Sequence, residues 1–442
     1  MWKNRVFLHN KFKKILTMTN EYKIAVIGLG YVGFPLARLF STKYKTIGYD
    51  LSQQRVDILM SGHDDTLEVE DHLIQQALKD GLICTTNLEI LKECNVFVVA
   101  VPTPVDINNR PDLIPLIKAS ETVGKVISKG GIVIYESTVY PGVTEEDCIP
   151  IVEQVSGLKF NKDFYAGYSP ERINPGDKEH TVDKIVKVTS GSTPEIADMV
   201  DELYNSVLIN GTFKASSIKV AEASKIIENS QRDVNIAFVN ELAKIFNAMD
   251  IDTHEVLQAA GSKWNFIKMT PGLVGGHCIS VDPYYLIQKA QVYGIMPRIM
   301  IEARRLNDAM GDYVANQVIK LMNKKGVVVK DSKILILGVT FKENCPDIRN
   351  TKIVDIYHSL TEYTQNITIF DHYADVHEVK EEYDLQIENG DINIYKGQFD
   401  AVILAVAHHE FRNLDLKSFT KEIGVIYDVK GIANLSQIDG RL

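Results

Sequence analysis

The feature that most constrains this chain is a glycine-rich turn near its amino terminus. The segment "YKIAVIGLGYVGFPLARLF" places an apolar strand, Lys23–Ile27, before Gly28-x-Gly30-x-x-Gly33 and a helical stretch that reaches Phe40. In this pattern the first glycine permits a tight turn, the second lets the backbone approach a pyrophosphate, and the third lets helix and strand pack closely. The helix amino terminus then faces the phosphates with its partial positive charge. The segment therefore predicts a dinucleotide-binding Rossmann unit.

The next strand predicts which dinucleotide binds. Residues Thr46–Tyr49 end at Asp50, which follows Gly28 by 22 positions. An acid at this place accepts hydrogen bonds from the ribose hydroxyls and repels a 2′-phosphate, so NAD is favoured over NADP. Arg55 follows soon after and keeps NADP open as the alternative.

Strand-like and helical patterns alternate in two separate parts of the chain. A long helical stretch without Gly or Pro, at about 215–249, lies between them, and a second helical stretch follows at 298–325. We expect an α/β fold with two Rossmann-like parallel-sheet domains joined by a central α-helical domain. The remaining strand-like runs are 95–104, 130–138, 332–344, 366–375, 400–410 and 424–431.

Composition bounds the class of protein. The 442 residues are too many for one ordinary core, and 45% hydrophobic with 24% charged residues is typical of a soluble globular protein. A net charge of −10 argues against a nucleic-acid partner, and no apolar run reaches the roughly 18 residues that cross a bilayer. The five cysteines form no CxxC pair, so we expect no disulfide framework and a reducing cytoplasm. The basic first 17 residues lack the apolar stretch of a secretory signal.

The segment "GGHCISVDPYYL", residues 275–286, raises the main chemical question. Cys278 could be a metal ligand, a structural thiol or a nucleophile. We expect no metal, because the adjacent His277 points in another direction and no second CxxC or HxxxH completes a zinc site. The other two readings stay open on the residues alone, since Asp282 and Lys225 could activate a thiol only if the fold brings them together.

Two further segments carry candidate polar groups. Lys225, Asn229 and Arg232 are spaced i, i+4, i+7 and share one face of the predicted long helix, which could equally be its solvated side. In "GVTFKENCPDIRNT", Lys342 and Arg349 could hold a nucleotide's phosphates, or could belong to a solvated basic loop.

Taken together, the motifs resemble the UDP-glucose/GDP-mannose dehydrogenase family. The similarity runs in order from about Tyr22 to the carboxyl terminus, and "YSPERINPGD" and "GGHCISVDPYYL" resemble the branch that acts on UDP-N-acetylhexosamines, above all the Vi-antigen-type UDP-N-acetylglucosamine 6-dehydrogenases. The motifs that carry the resemblance are "VIGLGYVGFPLA", "VAVPTPVD", "ESTVYPGVTEE", "YSPERINPGD", "KVAEASKIIENSQRDVNIAFVNE", "GLVGGHCISVDPYYL" and "FKENCPDIRNT".

The resemblance implies a four-electron oxidation that uses two NAD per sugar. The C6 hydroxyl of a UDP-N-acetylhexosamine, UDP-GlcNAc first and UDP-GalNAc next, becomes a carboxylate for surface polysaccharide biosynthesis. Alternatives are a UDP-ManNAc or UDP-glucose 6-dehydrogenase, a one-step β-hydroxyacid-type dehydrogenase and a non-catalytic nucleotide-sugar-binding protein. A sugar epimerase is a further alternative, but we interpret its Tyr285/Lys289 pair as chance.

The resemblance also implies roles for individual residues. Cys278 would attack the C6 aldehyde to give a thiohemiacetal and then a thioester, and Lys225 would stabilise the oxyanions beside Asn229. Asp282 would activate the hydrolytic water. The other implied catalytic residues are Thr138, for positioning that water, and Glu171, for general-base or water-positioning work. The implied cofactor contacts are Gly28, Gly30, Tyr31, Val32, Gly33, Asp50, Arg55, Thr103, Thr138 and Arg349. The implied substrate contacts are Glu171, Lys225, Asn229, Phe266, Lys268, Gly275 and Lys342.

Some positions depart from the family pattern. "INPGD" shifts the spacing of a second acid that UDP-glucose enzymes carry after Glu171, and "GSKWNF" offers no clear match to an arginine that some members extend from a neighbouring subunit. His277 has no implied role. The resemblance implies a homodimer formed through the long helix. The expected divisions are an extension without fixed structure at 1–20, an NAD-binding domain at 21–212, a helical dimerisation domain with Cys278 at 213–325, and a UDP-sugar-binding domain at 326–442.

Overall fold

The computed structural model describes residues 22–106, 108–172, 181–276 and 279–442. It divides into two compact units, one of residues up to Ile227 with Tyr284–Lys289, and one of Glu228–Pro283 with Ala290–Leu442. The predicted extension at 1–20 and the pair His277–Cys278 lie outside the described residues. Each unit is built on a largely parallel sheet with helices, which confirms the predicted α/β class, while the three-domain boundaries stay a prediction. No helix in these described ranges is long and apolar enough to cross a membrane.

The first unit is built on an eight-stranded sheet. Its strands are β1 Lys23–Ile27, β2 Lys45–Tyr49, β3 Ile83–Thr85, β4 Val96–Val99, β5 Ile132–Tyr135, β6 Tyr165–Tyr168, β7 Lys187–Gly191 and β8 Thr212–Lys214. Their order is β3-β2-β1-β4-β5-β6-β7-β8, and all neighbours are parallel except β6 and β7. Its helices are α1 Gly33–Ser41, α2 Gln53–Met60, α3 Asp71–Lys79, α4 Ile114–Val126, α5 Ile149–Ser156 and α6 Pro194–Asn205.

Strand β1 shows why this sheet could be predicted from the sequence. Ile24 and Val26 pack into the core on one face, and Ala25 and Ile27 pack into the core on the other. A strand that is buried on both faces reads as an unbroken apolar run. The strand order reverses between β1 and β4, and ligands of such sheets bind beyond the carboxyl ends of the strands at that point.

The second unit contains a five-stranded parallel sheet. Its strands are β9 Ile334–Leu337, β10 Ile367–Phe370, β11 Phe399–Leu404, β12 Thr420–Asp428 and β13 Gly440–Arg441, in the order β10-β9-β11-β12-β13. Helix α7, Ile218–Ala248, and helix α9, Asp282–Val292, contribute residues to both units. The other helices of this unit are α8 Thr253–Ala260, α10 Arg298–Asp308, α11 Met310–Lys324, α12 Ile353–Thr361 and α13 Val376–Tyr383.

The stretch 298–325, which the sequence predicts as one helical segment, consists of two helices that meet at Ala309. The side chains of Arg304 and Asn307 in α10 bond Asp233 of α7. In contrast, Met310 at the start of α11 packs into the core beside the second sheet. At Ala309 the chain therefore passes from contacts with α7 to contacts with the core of the second sheet, and the first helix ends there.

Candidate active site

The glycine turn after β1 has the shape that a dinucleotide needs. Gly28 has a φ of +89°, and a Cβ there would lie 2.7 Å from the carbonyl oxygen of Ala100. A Cβ on Gly33 would lie 1.8 Å from the carbonyl oxygen of Gly28, so both glycines are required by packing. A Cβ on Gly30 would meet nothing within 4 Å. Space is therefore left where the backbone is expected to approach a pyrophosphate, and the turn fits NAD.

Asp50 lies at the end of β2, beside this turn. Its Oδ2 accepts a hydrogen bond from the Leu29 backbone N–H at 2.8 Å, and its Oδ1 accepts one from the Ser52 N–H at 2.9 Å. The carboxylate is only half-buried, so it retains access for ribose hydroxyls. Predicted contacts Tyr31 and Val32 belong to the same turn.

Arg55 is held away from the role of a phosphate ligand. Its Nε donates to the Leu29 carbonyl oxygen at 2.8 Å, and its Nη1 forms ion pairs with Asp64, at 2.7 Å, and with Asp65. Two carboxylates already neutralise this guanidinium, so it is a poor counter-ion for a 2′-phosphate. The ion pairs favour NAD over the NADP alternative.

Two predicted threonines meet at the ends of neighbouring strands. Thr103 follows β4 and Thr138 follows β5, and the Thr103 hydroxyl donates to the Thr138 carbonyl oxygen at 2.8 Å. This hydrogen bond ties together two loops at the carboxyl edge of the first sheet, which is the ligand-binding edge of such sheets.

Glu171 lies beyond β6 above a buried ion pair that the sequence did not predict. Its backbone N–H donates to the Glu136 carbonyl oxygen at 3.2 Å, and its Oε2 lies 3.5 Å from the Nζ of Lys187. Lys187 is fully buried and donates to Glu136 Oε2 at 2.6 Å and to the Pro170 carbonyl oxygen at 3.1 Å. One feature of the sequence could have indicated this ion pair: Glu136, the first residue of "ESTVYPG", directly follows a buried strand. A carboxylate that is buried in this way requires a partner.

Lys225 is buried in α7, close to a second unpredicted acid. Glu222 accepts hydrogen bonds from the backbone N–H groups of Gly142, at 2.6 Å, and Thr144, at 2.9 Å. Burial raises the pKa of Glu222, and the two N–H groups oppose that change. These bonds fix the first turns of α7 to the loop after β5, and so fix the segment from which Lys225 projects.

Asn229 and Asp282 are brought together in the second unit. Asn229 Nδ2 donates to Asp282 Oδ2 at 2.5 Å, and both side chains are buried. Asp282 begins α9, and Asn229 lies one turn after Lys225 on α7. Arg232, the third residue of the predicted polar stripe, is exposed. The described pair therefore places a fixed carboxylate four residues after Cys278.

The glycines before Cys278 allow close packing against the loop after β9. A Cβ on Gly275 would lie 2.7 Å from the Asn350 carbonyl oxygen, and Gly276, with φ +82°, lies against the Phe341 ring. Asn350 Nδ2 also donates to the Gly276 carbonyl oxygen at 3.1 Å. The cysteine segment is thus joined to the loop that carries Lys342 and Arg349.

The remaining predicted ligand contacts lie on loops of the second unit. Arg349 Nε donates to both carboxylate oxygens of Asp347, at 2.9 and 3.1 Å. The Lys342 carbonyl oxygen accepts a hydrogen bond from Thr340 Oγ1 at 2.9 Å, and the lysine side chain is half-buried. Phe266 is half-buried and Lys268 is exposed after α8. The ligand contacts of all four predicted residues stay predictions.

Comparison with known families matches three consecutive segments of the chain. Residues 22–208 match the NAD binding domain of the UDP-glucose/GDP-mannose dehydrogenase family, residues 219–309 match its central domain, and residues 335–435 match its UDP binding domain. The three segments occur in the order in which the motifs were recognised.

Individual proteins give the same result. A UDP-N-acetyl-D-glucosamine 6-dehydrogenase of Pseudomonas aeruginosa is 55% identical over 96% of this chain and 100% of its own length. A UDP-N-acetyl-D-glucosamine 6-dehydrogenase of Salmonella typhi is 53% identical over 96% of this chain and 99% of its own length. Among solved structures, a UDP-D-ManNAc dehydrogenase from Pyrococcus horikoshii superposes with a TM-score of 0.87 at 29% identity, covering 95% of this chain and 98% of its own.

Proposed function

Because the chain belongs to the UDP-glucose/GDP-mannose dehydrogenase family, and is an NAD-dependent nucleotide-sugar dehydrogenase, we propose that it oxidises the C6 hydroxyl of UDP-N-acetyl-D-glucosamine to a carboxylate. The observation that carries this proposal is the buried Asn229–Asp282 hydrogen bond, which fixes a carboxylate four residues after Cys278. A carboxylate in that place can activate the water that ends a two-step oxidation.

The choice of sugar rests on the relatives. Two relatives, 55% and 53% identical to this chain, bear the name UDP-N-acetyl-D-glucosamine 6-dehydrogenase, whereas the UDP-D-ManNAc dehydrogenase is 29% identical. UDP-GlcNAc is therefore the proposed substrate, with UDP-GalNAc, UDP-ManNAc and UDP-glucose as the competing sugars. We also propose that the uronate product is used in the biosynthesis of a surface polysaccharide.

Cys278 supplies the step that separates this reaction from a simple alcohol oxidation. Its thiolate attacks the C6 aldehyde to form a thiohemiacetal, loss of hydride gives a thioester, and water cleaves the thioester to release the carboxylate and the thiol. A plain alcohol dehydrogenase, which has no such nucleophile, stops at the aldehyde. Two molecules of NAD, bound one after the other at the glycine turn, would each accept one hydride.

Five other side chains have roles in the proposed reaction. Glu171 accepts the proton of the C6 hydroxyl, and Lys225 stabilises the negative charge that develops on the sugar oxygen. Asp282, held by Asn229, takes a proton from the hydrolytic water, which Thr138 positions. Asn229 thereby fixes the direction of the carboxylate. The residues that we propose to bind the nucleotide sugar are Phe266, Lys268, Gly275 and Lys342, together with Glu171, Lys225 and Asn229.

Helix α7 carries an apolar stripe that supports a homodimer. Val220, Ile227, Phe238 and Ile245 are between 46% and 57% exposed. Their spacing of 7, 11 and 7 residues keeps them within about 20° of one line along the helix, over roughly 37 Å. A long exposed apolar stripe is costly in water and is typical of a helix that packs against another helix. We propose that the same stripe of a second copy covers it.

The cysteines support a reducing location. Cys84, Cys94, Cys148 and Cys345 are free and buried in the described part of the chain. Free thiols together with a nucleophilic thiol are suited to a compartment that keeps cysteine reduced. We therefore include a cytoplasmic location in the proposal.

A panel of UDP-GlcNAc, UDP-GalNAc, UDP-ManNAc and UDP-glucose tests the proposal, with NADH counted per sugar consumed. We expect two NADH per UDP-GlcNAc and the highest kcat/KM for that sugar. Cys278→Ser should yield no uronate, whereas Cys94→Ser, which alters a buried thiol of the first core, should keep the stoichiometry. Two NADH per sugar in Cys278→Ser would contradict the nucleophile, and a clear preference for UDP-glucose would contradict the branch.

A further inference from the structure

A fully buried group of charges lies next to Glu171 in the first unit. Lys187 Nζ donates to Glu136 Oε2 at 2.6 Å and lies 3.5 Å from Glu171 Oε2. The Tyr204 hydroxyl donates to the other oxygen of Glu136, Oε1. Glu136, Lys187 and Tyr204 have no exposed surface, while Glu171 retains 8%. One ammonium therefore faces two carboxylates, of which only Glu171 is near the surface.

The sheet topology creates this group. Glu136 directly follows β5, and Glu171 follows the end of β6. Strand β7 runs antiparallel to β6, so its first residue, Lys187, lies at the edge where β5 and β6 end. Tyr204 reaches the same place from α6. The change of direction between β6 and β7 thus brings a lysine to the ligand-binding edge of the six parallel strands.

The electrostatics favour a charged lysine. Burial acts to lower the pKa of Lys187, but the carboxylates of Glu136 and Glu171 outweigh burial and raise it. Burial raises the pKa of Glu136 to about 7, with Lys187 opposing and Glu171 adding to the rise. Burial and Glu136 raise the pKa of Tyr204, so its hydroxyl stays a donor. The ammonium is thus the fixed positive charge of the group.

Three elements of the first unit place charged or titratable groups toward Glu171. They are Glu136 after β5, Lys187 in β7 and Tyr204 in α6. Arg172 follows Glu171 in sequence and donates its Nη1 to the Val186 carbonyl oxygen at 2.7 Å. Its backbone N–H donates to Glu171 Oε1 at 2.5 Å, which fixes one carboxylate oxygen while Lys187 faces the other.

We propose that Lys187 is a positioning residue for the reaction: its ammonium, fixed by Glu136 and Tyr204, holds the Glu171 carboxylate by its charge in the place where that carboxylate accepts the C6 proton. This inference rests on the proposed function, in which Glu171 is the base. When Glu171 takes the proton, the O–H bond of the sugar breaks and a carboxylic acid forms. Glu136 then still accepts the hydrogen bond of the ammonium, so Lys187 is not left without a partner.

The pH dependence of the first hydride transfer tests this role, measured as the rate of the initial NADH burst with UDP-GlcNAc. An opposite charge within about 4–6 Å lowers the pKa of a carboxyl group by about 1–3 units, and a like charge raises it. Lys187→Met should therefore move the acid limb of the profile upward by about one pH unit or more. Glu136→Gln should move it downward, because Lys187 then faces Glu171 alone. The double variant should lie between the two.

Opposite displacements by two neighbouring variants distinguish positioning from a structural role, which would lower the rate without moving the limb in either direction. Lys187→Arg should restore most of the wild-type profile. Lys184→Met removes an exposed lysine from the same segment and should leave the limb in place. Thermal denaturation reports whether each variant folds. If Lys187→Met does not fold, the acid limbs of Lys187→Arg and Glu136→Gln are compared with that of the wild type instead.

Two failures are distinguishable. A wild-type enzyme that yields no NADH with any of the four UDP-sugars would contradict the proposed function. An active wild-type enzyme whose acid limb coincides with that of folded Lys187→Met, or with that of Glu136→Gln, would overturn the role of Lys187.

Discussion

Asp371 in the second sheet makes the backbone contact that Asp50 makes in the first. Asp50 Oδ2 accepts from the Leu29 N–H at 2.8 Å, and Asp371 Oδ2 accepts from the Val339 N–H at 2.7 Å. Each acid ends the strand beside a glycine turn, at Gly28 with φ +89° and at Gly338 with φ +96°. Both sheets therefore have a glycine turn after one strand and an aspartate at the end of the neighbouring strand, although their strand orders differ.

The two acids differ in what covers them. Asp371 is fully buried, and His408 Nε2 lies 3.1 Å from its Oδ2. His408 Nδ1 accepts a hydrogen bond from the Asn344 N–H at 2.9 Å, which assigns the ring proton to Nε2. Tyr373 stacks on the imidazole ring at 4.6 Å. Where the first sheet leaves its acid accessible to a ribose, the second sheet uses its acid to anchor the loop that carries Lys342.

The accessible acid should determine cofactor affinity. In Asp50→Asn, the side chain loses the charge that we propose accepts the ribose hydroxyls, and a charged hydrogen bond contributes about 1.5–3 kcal/mol. We expect the KM for NAD to rise roughly 10- to 100-fold with a smaller change in the KM for UDP-GlcNAc. Discrimination against NADP should also weaken, because the repelling charge is gone. Steady-state kinetics with both cofactors measure this, and an unchanged KM for NAD contradicts it.

Asp371, the buried acid of the second sheet, should contribute to the stability of the fold and not to cofactor affinity. Asp371→Asn places an amide among the backbone N–H groups of Val339, Thr340, Tyr373 and Ala374, which now bond a carboxylate. We expect a loss of about 1–3 kcal/mol, seen as a lower Tm, with the KM for NAD close to that of the wild type.

The pH dependence of that loss follows from the pKa of Asp371. Burial acts to raise it, but the hydrogen bonds from His408 and the backbone outweigh burial and lower it. A carboxyl group with a lowered folded pKa stabilises the fold above its unfolded pKa of about 4, and this contribution disappears as the pH falls through the folded pKa. The Tm difference between wild type and Asp371→Asn should therefore be full at pH 6 and shrink below about pH 4. A difference that grows on acidification would count against this assignment.

Much of the first sheet could be predicted from local sequence. The run Lys23–Ile27 is buried on both faces, and the glycine spacing follows from steric contacts within one turn, so both are visible in a short window. Asp50 was predictable for the same reason, because it ends the next strand. The position of Asn229 one turn after Lys225 followed from helical periodicity alone.

Contacts between distant segments were not predictable in this way. Glu136 and Lys187 are 51 residues apart, and their ion pair depends on β7 running antiparallel, which no local pattern of apolar residues indicates. The ion pairs of Arg55 with Asp64 and Asp65 likewise depend on how the chain returns after α2. The sequence therefore left open whether this arginine could bind a phosphate.

Asp282 should control the last step of the reaction. Asp282→Asn removes the proton acceptor that we propose for the hydrolytic water, and general-base assistance contributes about 10²- to 10⁴-fold. We expect kcat to fall by about 10²-fold or more, with a rapid burst of two NADH per site before slow turnover, because the thioester accumulates. Rapid-mixing absorbance measures the burst. Asn229→Ala, which removes the hydrogen bond but keeps the carboxylate, should give a smaller fall. A fall in kcat without a burst would contradict hydrolysis as the affected step.

The exposed stripe of α7 should hold two copies together. Phe238→Glu with Ile245→Glu introduces charges in the carboxyl-terminal half of the stripe, and burying an unpartnered charge strongly opposes association. We expect a dimer for the wild type and a monomer for this variant, measured by light scattering during size-exclusion chromatography. Ile394→Glu changes a residue of the second unit that is 63% exposed and lies off α7, so it should leave the dimer intact. A wild-type monomer, or a dimeric double variant, would contradict the proposed interface.

Gly276 should be required for the geometry of the cysteine segment. A Cβ there would approach the Phe341 ring at 2.8 Å, and the φ of +82° costs a non-glycine residue about 1–2 kcal/mol. We expect Gly276→Ala to lower kcat while leaving the KM for NAD unchanged. Gly272→Ala is the matched control, since its Cβ would meet nothing within 4 Å. Adding Phe341→Leu to Gly276→Ala relieves the contact but not the backbone strain, so kcat should recover only in part. Full recovery would assign the defect to the ring contact alone, and wild-type kcat in Gly276→Ala would show that the glycine is dispensable.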